Sequence, residues 1–283
     1  MDKHTEVERS IYKKYRKTIW KRFIAGINEY EMIKPGDCIA VCISGGKDSM
    51  LLAKCIEHLQ KHSDFPFEAK YLVLDPGYSP ENRQRILDNA RLLNLNVEVF
   101  DAEIFDYVDD IEKSPCYMCA RMRRGYLYKY ARSIGCNKIA LGHHFDDVIE
   151  TILLSMIYGA EVKTMMPKLH STNFEGMELI RPLYMVREAD IISWARYNDL
   201  HFLQCACHFT KKTEETSDKE MESKRKEMKE LISSFRKINS NIEMNIFRSV
   251  HNVNLETVIG YRKKDKRYNF LDDYDDQSDE LFF

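Results

Sequence analysis

The sequence predicts an α/β protein built on a doubly wound parallel sheet, with a helix before the sheet and a helical extension after it. Three observations lead to this fold class. Short apolar runs alternate along the chain with segments of helical periodicity. Glycine-rich or acidic residues follow several of these runs, and a chain of 283 residues with 44% apolar residues can bury a large core. Strands that alternate with helices favour a parallel sheet whose ligand lies at the carboxyl ends of the strands.

The predicted elements follow one another in a regular order. Residues 6–30 are expected to form an amphipathic helix, because apolar side chains recur every four residues along one face and Lys and Arg occupy the other. Strands and helices then alternate as far as residue 158. Strands are expected at 38–43, 71–74, 97–100 and 138–141, and helices at 48–62, 80–94, 119–134 and 147–158.

Composition divides the chain into four predicted parts. A basic amphipathic helix occupies residues 1–30, and a central ligand-binding domain spans 31–210. A helical extension spans 211–270, beginning with a run of seven bases and seven acids at 211–230 that is typical of an exposed helix. The acidic tail at 271–283 is expected to be disordered.

Charge and hydropathy limit the classes of partner. No apolar run reaches the length of about 18 residues that a membrane helix needs, and the N-terminus lacks the apolar segment of a signal peptide. We therefore expect a cytoplasmic protein without a membrane partner. Residues 1–23 carry eight Lys or Arg against three acids, which suits a polyanion such as nucleic acid or an ordinary solvated helix face.

The stretch SGGKDS at 44–49 lies between the first predicted strand and the next helix. A strand that passes through glycines into a helix directs backbone N–H groups at one point, which binds anions, most often phosphate. It is not a Walker A loop, because that motif needs four residues between its glycines. A Gly-Gly turn with capping side chains is the alternative. The candidate phosphate ligands are Ser44, Gly45, Gly46, Lys47, Asp48 and Ser49, with Asp48 suited to a bridging Mg²⁺.

A second polar segment, GHHFDD at 142–147, follows the strand predicted at 138–141. Its acids, Asp146 and Asp147, begin a helix, where they can complement the helix dipole. Beside a phosphate loop, the same pair can hold a Mg²⁺–pyrophosphate leaving group. His143 and His144 can polarise phosphates or cap the loop.

Eight cysteines in an intracellular chain indicate metal or sulfur chemistry for some of them. Cys38, Cys42, Cys55 and Cys136 lie in or beside predicted core elements, and we expect them to pack there. The others form two close pairs, which suit either a structural zinc ion or an iron–sulfur cluster. These pairs are Cys116 with Cys119 and Cys205 with Cys207.

Five motifs in this order resemble the tRNA 2-thiocytidine synthetase family of the PP-loop ATP pyrophosphatases, over about residues 14–260. They are SGGKDS at 44–49, CYMC at 116–119 followed by Arg121, Arg123 and Arg124, GHHFDD at 142–147, IRPL at 180–183 and the cysteine pair near 205. The resemblance implies an adenine nucleotide alpha hydrolase-like fold. It also implies adenylation of the C2 carbonyl of an anticodon-loop cytidine by ATP and displacement of AMP by sulfur.

The resemblance implies the following cofactors and ligands. A 4Fe-4S cluster with one open iron would be held by Cys116, Cys119 and Cys205, with Cys207 as the alternative because this chain has C-x-C where the family has C-x-x-C. Mg²⁺ would bind Asp48 and Asp147. Catalytic roles fall to Cys116, Cys119, Arg123 and Asp147, and further nucleotide contacts to Asp75, Gly142, His143 and Asp146.

The implied partners are a tRNA anticodon loop, a sulfur donor such as a cysteine desulfurase or sulfide, and a second copy of the chain. For the dimer, the apolar face of the N-terminal helix offers a contact surface. Two other functions fit the phosphate loop. One is a ligase that joins an amine to tRNA, as in lysidine synthesis, and the other is a non-catalytic nucleotide- and metal-binding sensor.

Overall fold

A six-stranded sheet forms the centre of the fold in the computed structural model, which describes residues 2–109, 115–203, 217–272 and 274. The strand order is β3-β2-β1-β4-β6-β5. The strands are β1 (Cys38–Ile43), β2 (Glu68–Asp75), β3 (Val97–Asp101), β4 (Lys138–Ala140), β5 (Lys168–His170) and β6 (Glu178–Ile180).

The sheet is doubly wound, which confirms the predicted fold class. The strands β1, β2, β3, β4 and β6 pair in parallel, and β5 adds an antiparallel edge to β6. The chain moves outward from β1 to β3 and then returns to place β4 on the other side of β1. The reversal point between β1 and β4 is where such sheets open a crevice for a ligand.

Helices cover both faces of the sheet. The first half contributes α1 (Lys3–Tyr12), a π-helix (Arg16–Trp20), α2 (Lys21–Glu29), α3 (Lys47–His62), α4 (Pro80–Leu92) and α5 (Ile104–Asp109). The second half contributes α6 (Pro115–Ser133), α7 (Phe145–Ile157), α8 (Glu188–Tyr197), α9 (Ser217–Ile238) and α10 (Ile242–Ser249). A separate hairpin of β7 (Gly260–Lys263) and β8 (Lys266–Asn269) follows them.

The continuous helix predicted for 6–30 is wrong, because a π-helical turn interrupts it. The amide of Tyr15 donates to the Ser10 carbonyl at 2.9 Å, and that of Trp20 donates to the Tyr15 carbonyl at 3.2 Å. Apolar residues spaced by four drift around an α-helix, which has 3.6 residues per turn, and the wider turn returns them to one face. All five apolar side chains of that face are buried: Ile11, Tyr15, Ile19, Phe23 and Ile27.

Because this face is buried within the chain, it does not offer the contact surface that we expected it to give a dimer. These side chains belong to the same core cluster as β1 and α3. The extension after residue 211 also differs from the exposed helix that we predicted. Helix α9 continues to Ile238 and buries Met228 and Ile232, since the helix packs against α7.

Within the described residues, no helix is both long enough and apolar enough to cross a membrane.

Candidate functional site

A cavity of about 380 Å³ opens at the carboxyl ends of β1, β2 and β4. The loops that follow β1 and β4 form one wall, and helix α6 forms the opposite wall. The cavity is lined by Cys42, Ile43, Ser44, Asp48, Ser49, Leu74, Tyr78, Ala120, Arg123, Arg124, Leu127, Leu141, Gly142, His143 and Asp147. Segments that are far apart in sequence therefore meet at the point where a doubly wound sheet binds its ligand.

The loop after β1 is held open by its own hydrogen bonds. Gly45 adopts a left-handed φ of +85°, and a Cβ atom there would lie 2.6 Å from Ile86 Cγ1. Only glycine fits this position. The Ser44 amide donates to Ser49 Oγ at 3.2 Å, and Ser49 Oγ donates to the Gly46 carbonyl at 3.0 Å. The loop is thus shaped before any anion arrives.

Lys47 and Asp48 begin α3, and Lys47 lies within ion-pair distance of two acids. Lys47 Nζ lies 3.0 Å from Glu188 Oε1 and 3.2 Å from Asp48 Oδ2. The other carboxylate oxygen, Asp48 Oδ1, is buried and accepts no hydrogen bond from the described residues. Burial raises the pKa of Asp48, and the neighbouring charge of Asp147 adds to the rise. His144 Nε2 lies 3.9 Å from this oxygen. A buried carboxylate oxygen that accepts no hydrogen bond fits a divalent cation.

The loop after β4 approaches the start of α3 closely. A Cβ atom on Gly142 would lie 3.0 Å from the Ser49 amide nitrogen. His144 caps helix α7 by accepting from the Asp147 amide at 3.4 Å, and Asp147 Oδ2 accepts from the His144 amide at 3.0 Å. Asp147 therefore contributes one carboxylate oxygen to the helix cap while its side chain lines the cavity.

Asp146 and Asp75 lie outside the cavity lining. Asp146 Oδ2 accepts from the Glu188 amide at 2.7 Å and so begins α8. Asp75 Oδ1 accepts from the amides of Gly77 and Tyr78 at 2.9 and 2.7 Å, and Asp75 Oδ2 accepts from Arg83 at 3.0 Å. These bonds fix the turn that places Tyr78 in the wall. Direct nucleotide contacts from both acids stay predictions.

His143 is neutral near pH 7. Burial and the adjacent Arg181 lower the pKa of His143 to about 4. Arg181 Nε donates to His143 Nδ1 at 3.3 Å, and because a guanidinium only donates, the histidine proton lies on Nε2. His143 can therefore offer one N–H donor to a ligand in the cavity without adding positive charge.

Helix α6 brings arginines to the opposite wall. The buried Arg123 Nε donates to no hydrogen-bond acceptor among the described residues, and the Arg123 guanidinium lies 5.3 Å from the Phe105 ring centroid. Arg123 and Arg124 both line the cavity. A buried donor without an acceptor is suited to an anionic ligand.

The predicted cluster cysteines are only partly described. Cys119 is buried beside Leu74, Ile104 and Phe105, one residue before the lining residue Ala120. Cys116 lies in the first turn of α6, and its side chain is outside the described part of the structure. Cys205 and Cys207 lie outside the described residues altogether. Cys119 therefore lies next to the cavity wall, in the same part of α6 as Cys116.

Two charged residues of this region were missed by the sequence reasoning. Glu188 pairs with Lys47 and also lies 3.3 Å from Lys229 of α9. Glu150 is buried in α7, one turn after Asp147, and lies 3.8 Å from Arg225 and Lys229. No local pattern marks either acid, because each is defined by partners distant in sequence.

Replacing Gly142 with alanine is expected to separate the two loops. The new Cβ would contact backbone atoms, which cannot move away as a flexible side chain can, so we expect a loss of about 1–3 kcal/mol in the free energy of unfolding and weaker ATP binding. Gly125→Ala is the matched control, since a Cβ there meets nothing within 4 Å. Denaturant unfolding and calorimetric titration with ATP measure both effects. Equal stability of the two variants would contradict the close approach.

The combined contribution of Glu150 and His143 to the unfolding free energy is expected to change little between pH 4.5 and 6.5. Burial raises the pKa of Glu150 from 4.5 to about 7. Protonation of Glu150 therefore raises the unfolding free energy as the pH falls through this range. The pKa of His143 is lowered from 6.5 to about 4, so His143 destabilises the fold as the pH falls. The two slopes are opposite and each is about 1.4 kcal/mol per pH unit.

Each single variant should expose the slope of the other residue. Glu150→Gln is expected to lose stability on acidification, because only the effect of His143 remains. His143→Gln is expected to gain stability over the same range. Urea unfolding at several pH values provides the measurement, and two variants with the same sign of slope would contradict the assignment.

Similarity to known proteins agrees with this geometry. Residues 15–212 match the family described as PP-loop domain. A protein of Neisseria meningitidis serogroup C (strain 053442), named tRNA-cytidine(32) 2-sulfurtransferase, is 41% identical over 182 residues. The match covers 63% of this chain and 57% of the relative, so it spans little more than half of the relative's length.

A relative from Vibrio campbellii (strain ATCC BAA-1116) with the same name matches more of the chain. It is 34% identical over 256 residues, which cover 88% of this chain and 82% of the relative. Among solved structures, the U34-tRNA thiolase NcsA from Methanococcus maripaludis, with its [4Fe-4S] cluster, has a TM-score of 0.64 at 20% identity. The superposition covers 86% of this chain and 80% of the thiolase, and it shows a shared fold.

Proposed function

The chain belongs to the PP-loop family and, within it, to the family of the tRNA-cytidine(32) 2-sulfurtransferases, and from this premise we propose that it is an ATP-dependent tRNA sulfurtransferase. The observation that carries the proposal is the single cavity in which the 44–49 loop, the 142–147 loop and Arg123 meet. A phosphate loop, a carboxylate for Mg²⁺ and a cationic opposite wall are what the adenylation of an RNA base requires.

ATP is the first substrate, and its phosphates bind the loop after β1. The backbone at Gly45 and Gly46, the Ser49 hydroxyl and Lys47 receive the pyrophosphate end. Asp48 and Asp147 would hold Mg²⁺, which would neutralise negative charge on the pyrophosphate. When Lys47 turns to the phosphates, Glu188 keeps a cation partner in Lys229, and Asp48 is left to bind the metal ion.

The base oxygen is activated before sulfur replaces it. The C2 carbonyl oxygen of the cytidine attacks the α-phosphorus of ATP, pyrophosphate leaves, and the oxygen becomes part of an AMP leaving group. Arg123, whose buried Nε has no acceptor among the described residues, stabilises negative charge on the α-phosphate. The Nε2 proton of His143 adds a neutral donor to the same anion, and Arg124 lies at the mouth on the RNA side.

Cys116 and Cys119 provide two ligands of a 4Fe-4S cluster, and Cys205 or Cys207 provides the third. The bound cluster supplies an iron position at which sulfur can be presented to the activated base. The residues of this chain orient the cluster through α6, which carries both the C-x-x-C pair and the arginines. A cysteine desulfurase or sulfide delivers the sulfur, and a second copy of the chain is the proposed oligomeric partner.

Mass spectrometry of tRNA nucleosides tests this function. The tRNA of a strain that lacks the gene is compared with the tRNA of the same strain carrying the gene on a plasmid. Loss of 2-thiocytidine and its return on complementation would support the proposal. Unchanged thionucleosides in both strains would exclude it, and loss of a nucleoside with an added amine would favour the ligase alternative.

A further inference from the structure

Two cysteines lie close together at the amino ends of β1 and β4, at the end of the sheet opposite to the cavity. Cys38 begins β1, and Cys136 lies two residues before β4. Their Sγ atoms are 3.3 Å apart. We expected both to pack passively in the core, and neither takes part in the proposed reaction.

The backbone holds this pair in place. The Asn137 amide donates to the Cys38 carbonyl at 3.0 Å, and the Cys38 amide donates to Asn137 Oδ1 at 2.8 Å. The Asn137 side chain also donates to Asp37 at 2.8 Å. Ile39 pairs with Lys138, so Asn137 lies beside Cys38 and Cys136 is offset by one residue. A strand spacing of about 4.8 Å with an offset of about 3.3 Å gives a Cα separation of about 6 Å, which a disulfide can span. The sulfur contact therefore follows from the pairing of β1 with the chain that enters β4.

The two thiols differ in access. Cys38 is half-buried, whereas Cys136 is 4% exposed. Burial and the neighbouring Cys38 raise the pKa of Cys136 to about 12. A reagent therefore reaches Cys38 first, and Cys136 can react only with a sulfur that is already beside it.

We propose that Cys38 and Cys136 form a reversible disulfide by exchange with a small-molecule disulfide. The Cys38 thiolate attacks one sulfur of the reagent, the reagent S–S bond breaks, and one small thiolate leaves. The Cys136 sulfur then gives up its proton and attacks the Cys38 sulfur of the mixed disulfide, and the second small thiolate leaves. The protein dithiol is oxidised by two electrons, the reagent is reduced, and the two protons pass to the released thiolates.

Peptide mapping of the full-length chain tests this proposal. The protein is prepared without oxygen, treated with glutathione disulfide, alkylated and digested without reduction. We expect a linked peptide that contains Cys38 and Cys136, lighter by two hydrogens than the two reduced peptides, and its loss after dithiothreitol. Cys38→Ser and Cys136→Ser should each abolish it. Cys42→Ala, on the same face of β1, is the matched control and should retain it.

Two results would overturn the proposal. One is complete alkylation of Cys38 and Cys136 after treatment with the reagent. The other is a stable mixed disulfide on Cys38, or a link from Cys38 to a different cysteine, in a protein whose circular dichroism shows that it is folded.

The hairpin of β7 and β8 lies outside the 15–212 region of family similarity. Tyr261 and Tyr268 stack across it at 4.7 Å between ring centroids. Five exposed bases surround one acid, Asp265, and they are Arg262, Lys263, Lys264, Lys266 and Arg267. A groove of about 880 Å³ separates the hairpin from residues 160–163 after α7.

We infer that this hairpin binds the tRNA backbone, an inference that rests on the proposed function. Basic side chains on a two-stranded ribbon can follow phosphates, and the exposed Tyr261 can stack on an unpaired base. Lys163 also lines the groove, and Arg262 of the hairpin lies 3.6 Å from Glu161 on the facing segment.

Binding of labelled tRNA at several salt concentrations tests the hairpin. The double variant Lys263→Gln/Lys266→Gln is expected to bind about tenfold more weakly, with a salt dependence shallower by about 1.4 because two phosphate contacts are lost. Lys226→Gln/Lys237→Gln, which removes the same charge from exposed positions of α9, should bind like wild type. Equal affinity of both variants would overturn the hairpin assignment, whereas a wild-type protein that binds no tRNA would instead contradict the proposed function.

Discussion

Replacing Cys119 with alanine is expected to reduce tRNA thiolation to background while ATP still binds. The variant removes one proposed ligand of the cluster, and two remaining cysteines cannot hold it stably. The nucleotide site is built from the 44–49 and 142–147 loops, and Cys119 is not among the described residues that line the cavity. Cys119 lies among apolar side chains, so the loss of its sulfur should cost only about 1 kcal/mol in unfolding free energy.

Three measurements separate this result from simple misfolding. Iron content after anaerobic purification should fall, ATP affinity should stay within about twofold, and thiolation of tRNA transcripts should disappear. Cys55→Ala is the matched control, because Cys55 is fully buried in α3 and remote from the cavity lining. A Cys119→Ala protein with normal iron and normal thiolation would show that Cys119 is not a ligand.

Asp48→Asn should have opposite effects on activity and on the stability of the nucleotide-free protein. Asp48 Oδ1 is buried and accepts no hydrogen bond in the part of the chain that the structure describes, and burial raises the pKa of the carboxyl group. A neutral amide removes this unfavourable charge, so the unfolding free energy near pH 7 should not fall and is expected to rise. Loss of a Mg²⁺ ligand should remove about 3 kcal/mol of transition-state stabilisation, which is about a hundredfold in rate.

The pH dependence gives this prediction a further check. Because the folded-state pKa of Asp48 lies above its unfolded value of 3.8, Asp48 lowers stability above its folded pKa and loses this effect as the pH falls toward 3.8. The stability difference between Asp48→Asn and wild type should therefore shrink at acid pH. Thermal unfolding without Mg²⁺–ATP measures the stability of the free protein, and thermal unfolding with Mg²⁺–ATP measures the stabilisation that the nucleotide adds. A variant that is less stable without ligand, or fully active, would contradict the role of Asp48.

The parts that could be predicted from sequence are those whose signal is local. SGGKDS at 44–49 and GHHFDD at 142–147 each join a short apolar run to a helix, and that junction alone places them at one end of the sheet. Strands β5 (KLH) and β6 (ELI) contain no run of three apolar residues such as the one at 139–141 that marks β4. They were therefore missed, together with the antiparallel edge.

Contacts between distant segments could not be predicted in the same way. The ion pair of Lys47 with Glu188 joins residues 141 positions apart, and the stacking of Arg123 over Phe105 depends on how α5 packs under α6. The π-turn at 16–20 is an exception, since a strict four-residue repeat of apolar side chains already conflicts with a straight α-helix. The sequence therefore already indicated that this segment is not a straight α-helix.

The strand order has a consequence for synthesis of the protein on the ribosome. Strand β1 pairs with β2 on one side and with β4 on the other. Because β4 begins 95 residues after the end of β1, it is synthesised much later than β1. At about 5–20 residues per second, this open interval lasts about 5–20 s. Throughout it, the apolar run CIAVCI has an unpaired edge that invites pairing with other nascent chains. A molecular chaperone that covers this edge should therefore matter most before residue 140 has emerged from the ribosome.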